Sequence, residues 1–159
     1  MPRQEKDIEK LLSGREEQKQ LAEKIGQGYV ARTLELAKKK NLAGLFDLAV
    51  GLLKDLSSSK EAVVWSRKIL DEKADFNLLI EILSMLVEDA LFAKVDKNCN
   101  LRFEGKRKVV LQIAEALSIK CMANLQSVFD KAVRDLSYNV SPVLVADNLV
   151  MNILEVKYL

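Results

Sequence analysis

Hydrophobic positions recur with a period near 3.6 along almost the whole chain, which predicts helices throughout and no sheet. Residues 4–12 and 15–25 give two short amphipathic helices on either side of Gly14. A third spans 29–40, with Val30, Leu34 and Ala37 on one face. Lys38-Lys39-Lys40 closes it, where cations complement the partial negative charge of a helix C-terminus. Over 42–56 the apolar stripe is clean: Leu42, Leu45, Phe46, Ala49, Leu52, Leu53 and Leu56. Ser58 followed by Glu61 reads as a capping box that opens a helix over 59–72, with Val63, Val64, Ile69 and Leu70 as its apolar side chains.

The next segment, 76–95, is capped by Asp75 on this reading. It is apolar on more than one face, through Leu79, Ile82, Leu83, Leu86, Ala90, Leu91 and Val95, so it is expected at the centre of the fold. The period breaks over Asp96–Glu104, the longest clear loop. A helix over 105–117 follows. Ser118 then caps 119–138. Asn139-Val140-Ser141-Pro142 is the sharpest punctuation, since Ser at the cap and Pro at the first helical position favour a helix start. The last helix, about 142–156, is apolar on most sides and must be covered by its own domain or by a partner. Leu149 and Ile153 are its first candidates for an interface.

Glycine and proline add little interruption. The two prolines are Pro2 and Pro142. Gly26-Gln27-Gly28 reads as a helix connection, being too short for a dinucleotide fingerprint. Gly44 and Gly51 lie seven apart within a helical pattern, at a cost of about 1 kcal/mol each against alanine, which suggests a close approach of another helix on that face. No repeat with a fixed period is present. Composition shifts once, near residue 40, from a segment rich in Glu, Lys, Arg and Gln to one dominated by Leu and Val; this divides the chain into 1–40 and 41–159.

Composition narrows the chemistry more than it suggests any. Of 159 residues 49% are hydrophobic, enough for a sizeable core. The 25 basic and 23 acidic residues nearly cancel to +2, so no dedicated nucleic-acid or membrane surface is implied. Histidine is absent, which excludes Ser–His and Cys–His nucleophile pairs and every metal site that needs imidazole. Cys99 and Cys121, without CxxC spacing, fit a reducing, cytoplasmic setting. The charged first 25 residues do not resemble a signal peptide, and no apolar run reaches the roughly 18 residues that span a bilayer. No phosphate-loop motif occurs.

The remaining candidates each have a plain alternative. Glu16–Glu17 and Glu88–Asp89 are carboxylate pairs, but lie beside lysines or arginines on helices, as surface ion pairs do. Lys38–Lys40 and Lys106-Arg107-Lys108 are basic enough to touch phosphate, yet suit solvated helix ends and lack interleaved aromatics for base stacking. Trp65 is either an interface anchor or core. No catalytic, cofactor-binding or metal-ligating residue emerges, and no cofactor or small-molecule substrate is expected. The residues leave three classes open: an interaction module, a stand-alone helical nucleic-acid binder, and, least favoured, a small enzyme using carboxylates.

Three segments resemble the clamp-loader subunit family. Ala22-Glu-Lys-Ile-Gly-Gln-Gly28-Tyr-Val-Ala-Arg32-Thr-Leu34-Glu-Leu36 resembles the glycine-containing turn and helix of the small lid domain. Leu78–Lys94 resembles the long collar helix of bacterial DNA polymerase III delta-prime subunits, and Ala132–Leu144, with its Asn-x-x-Pro turn, is similar to the junction before their last helix. The resemblance runs from about residue 15 to 156. It implies partial lid helices over 1–40 and a helical-bundle collar domain for oligomerisation over 41–159. The ATPase-fold module, its phosphate loop and its zinc-binding cysteines are missing from this sequence. Ala31, with Arg32 one place on, stands where ATP-hydrolysing relatives carry a sensing arginine. The implied role is non-catalytic: packing against other clamp-loader subunits (delta, gamma/tau) to support sliding-clamp loading in DNA replication. DNA contact would be indirect or weak, and no membrane would be involved.

Overall fold

The computed structural model describes residues 42–71 and 76–158. Among these the fold is all-helical, a bundle of six α-helices. They are α1 (Leu42–Lys54), α2 (Ser59–Asp71), α3 (Phe76–Val95), α4 (Arg107–Ala116), α5 (Ile119–Ser137) and α6 (Pro142–Tyr158), with a 3₁₀ turn at Glu104–Lys106 before α4. The expectations for 1–40, including the lid-like segment and Lys38–Lys40, and the Asp75 cap lie outside the described residues.

α3 is the central helix, as its all-round apolar sequence predicts. α1, α4 and α5 pack around it, while α6 lies between α2 and α5. Leu79, Ile82, Leu83, Leu86 and Ala90 of α3 are fully buried. Phe46 of α1 meets Phe103 of the following loop with ring centroids 5.3 Å apart and planes tilted by 60°, a favourable aromatic geometry. Burial of side chains of this size stabilises by about 1.5–3 kcal/mol each. The core is continuous from α1 through α3 to α6 rather than split into satellites.

Local chemistry fixes the helix ends. Ser118 does cap α5: its hydroxyl accepts from the Cys121 N–H at 3.0 Å. Lys94 closes α4 from outside by donating to the Ala114 and Leu117 carbonyls at 2.8 and 2.7 Å, satisfying acceptors that a helix end leaves open. Between α5 and α6 the chain forms a Schellman turn. Val140 N–H donates to Asp135 O at 3.0 Å and Asn139 N–H to Leu136 O at 3.2 Å. Asn139 takes φ 61°, the left-handed conformation this turn demands and asparagine tolerates. Pro142 then begins α6.

Two local expectations shift. Glu61 reaches past Ser58 to Ser57, accepting from its N–H at 2.9 Å and its hydroxyl at 3.1 Å. These bonds hold the Glu61 carboxyl below its ordinary range. α4 begins at Arg107 rather than 105, because the 3₁₀ turn occupies Glu104–Lys106.

Candidate functional site

A cluster of hydrogen-bonded polar side chains surrounds the loop between α3 and α4. Asp89 sits on the buried face of α3, 2% exposed. Its two carboxylate oxygens accept from the backbone N–H groups of Arg102 at 3.1 Å and Phe103 at 2.9 Å. Burial pushes the Asp89 carboxyl above its usual range, against the pull of those two bonds. The pair read in sequence as Glu88–Asp89 therefore divides. Glu88 remains outside, 2.7 Å from Arg102 Nη1, while Asp89 turns inward and holds the loop. The surface pairing expected of both carboxylates is thus made by Glu88 alone.

Arg107 binds the same loop from its other end. Its guanidinium donates to Lys97 O at 2.7 Å, to Cys99 O, and to both Glu104 oxygens at 2.6 and 3.1 Å. Glu104 in turn accepts from Leu101 N–H at 2.8 Å, and its bond to Arg107 raises the arginine's pKa further. Lys106 lies 5.7 Å from the Phe46 ring centroid. The basic run 106–108 is thus not one patch. Arg107 is committed to the loop, Lys106 is half-buried against Phe46, and Lys108 is exposed.

A cavity of about 680 Å³ lies between the start of α5 and the end of α6, lined in part by Ser118, Cys121, Glu155, Lys157 and Tyr158. Lys157, on its wall, donates to Leu56 O at 2.6 Å. Burial lowers the Lys157 ammonium pKa and raises that of the Cys121 thiol. A thiol held protonated in this way is a poor nucleophile, so the pair suits packing better than covalent chemistry. Among the described residues no group of His, Cys, Asp or Glu is arranged to hold a metal ion.

Two surfaces remain. The first is the outer face of α6, where Val143, Leu144, Met151 and Tyr158 are exposed by 45–60%. Neighbouring α2 adds exposed Val63 and Val64. Leu149 and Ile153, the residues expected at an interface, are instead 1% and 0% exposed. They face inward because α2 and α5 of the same chain cover that side of α6. The second is a cleft between α1 and α2. Trp65 spans it and rests on Gly51, where an added Cβ would come within 2.7 Å of ring atom Cζ3 and closer still to Cη2. Gly51 thus meets an indole rather than another helix backbone, and Trp65 is half-buried, between anchor and core.

No family model matches the chain, and no curated protein or solved structure matches it. Among the described residues no helix is long and apolar enough to cross a membrane.

Proposed function

We propose that the chain is a non-catalytic interaction module that binds its partner through the outer face of α6. The carrying observation is the exposure of Val143, Leu144, Met151 and Tyr158 on a helix whose opposite side is already sealed into the core. Burying such side chains is a main source of free energy in helical association. In the specific form the sequence resemblance implies, the partners are clamp-loader subunits of the delta and gamma/tau kinds, and the module is a collar piece of a delta-prime-like subunit. It would hold an assembly together while partner subunits perform the ATP chemistry.

The test is co-purification of the chain with those subunits. Complex formation that is lost in Leu144→Asp/Met151→Asp, with the thermal transition of the variant unchanged, supports the reading. If the chain joins no complex with them, the clamp-loader form falls. If it joins one that the double variant leaves intact, the α6 face is not the interface.

A further inference from the structure

The cleft between α1 and α2 is a different kind of surface from the α6 face. It encloses about 470 Å³, room for a few side chains rather than a whole ligand helix. Its floor is formed by Gly44, Leu48 and Gly51 on one stripe of α1, and its wall is the Trp65 indole. Gly44 is half-buried and leaves backbone at the surface, while Gly51 is buried beneath the indole. Around the rim stand Asp47, Asp55 and Asp71, all exposed, with Lys68 the one cation among the described residues that line it. Asp55 also feels the charge of Lys157, which leaves Asp47 and Asp71 as the principal rim charges.

One cation already occupies the indole. Lys68 Nζ lies 4.3 Å from the Trp65 ring centroid, within the distance at which an ammonium is attracted by the negative face of an aromatic ring. Lys68 is exposed and belongs to the same helix as Trp65, so it can swing away at little cost. An aromatic wall, a carboxylate rim and a tethered cation in place together describe a seat for a positively charged side chain with an apolar stem.

We propose that the α1–α2 cleft docks a lysine- or arginine-bearing segment of a partner protein. The segment places one cationic side chain over Trp65 in the position Lys68 now holds. Its neighbouring apolar stem lies along the indole and Gly44, and its other charges face Asp47 and Asp71. This surface is formed by other residues than the α6 face, so the two proposals stand or fall separately.

Trp65 is the sole tryptophan of the chain, so its emission reports directly on this seat. The experiment titrates the full chain with a tryptophan-free amphipathic peptide of leucine and lysine in helical register, and with a matched peptide carrying glutamate for lysine. The lysine peptide should change Trp65 emission saturably and lose affinity as salt is raised. The glutamate peptide should not bind. Asp47→Asn/Asp71→Asn, both exposed positions, should weaken the lysine peptide about fivefold, the combined worth of two surface ion pairs. Lys68→Gln should tighten it by removing the resident competitor. Equal response to both peptides, wild-type affinity in the double variant, or the absence of a saturable change would each overturn the proposal.

Discussion

The loop after α3 and the junction after α1 solve the same problem in opposite ways. Between α3 and α4 the chain runs through Asp96–Phe103 without a helix, and every end of that run is tied. Asp89 holds Arg102 and Phe103 from below, and Arg107 holds Lys97 and Cys99 from the side. Between α1 and α2 the connection is short, at Asp55–Ser58, yet the helices behind it pack little on one another, and Trp65 rests on Gly51. The long connection is closed by a buried carboxylate and a guanidinium, whereas the short one leaves a cleft beside Trp65.

That contrast can be broken at its strongest point first. Asp89→Ala strands the buried Phe103 N–H and the part-buried Arg102 N–H, so a loss of about 2 kcal/mol is expected in urea unfolding. An unchanged midpoint would show that the loop does not depend on Asp89. Gly51→Ala should cost about 1 kcal/mol or less, because the gain in helix propensity offsets part of the displacement of Trp65. Its clearer signature is a red shift of tryptophan emission. Arg107→Ala should speed amide hydrogen exchange across Asp96–Glu104 while leaving α1 and α2 untouched. Acceleration in both regions alike would erase the distinction between them.

The smallest effect expected is one of pH. The Asp89 carboxyl is shifted up from its ordinary 3.8, so between the two values the native state binds more protons than the unfolded chain. The contribution of Asp89 to stability therefore falls as pH rises through that interval. Asp89→Asn does not titrate. The stability of wild type minus that of Asp89→Asn should grow from neutral to mildly acidic solution, measured by urea unfolding at each pH. A difference that shrinks instead would mean that the two N–H bonds outweigh burial.

Most of the scaffold was legible because helix period and caps are local. The span 76–95, the Ser118 cap and the Pro142 start all follow from residues within a turn of one another. The ties were harder to see, since Asp89 bonds to N–H groups 13 and 14 residues away. A signal did exist: Asp89 falls on the same stripe as Ile82, Leu86 and Ala93, so it is a charge inside an apolar face. Arg107 was masked by Lys106 and Lys108, which made a clamp resemble a patch. On α6, apolar residues all round gave no means of telling Leu149, which faces the core, from Leu144, which faces solvent. Only the positions of α2 and α5 decide that. The clamp-loader resemblance rests on the sequence segments alone.

The Lys157 bond to Leu56 joins residues 101 apart. α2 packs chiefly on α6 and barely on the helices near it in sequence. During synthesis α2 must therefore wait, with its apolar side uncovered, until α6 has left the ribosome. Contacts of such long range slow folding, since the intervening chain must be gathered before they form. The α2–α6 contact is thus expected late in folding, after the helices between them have formed.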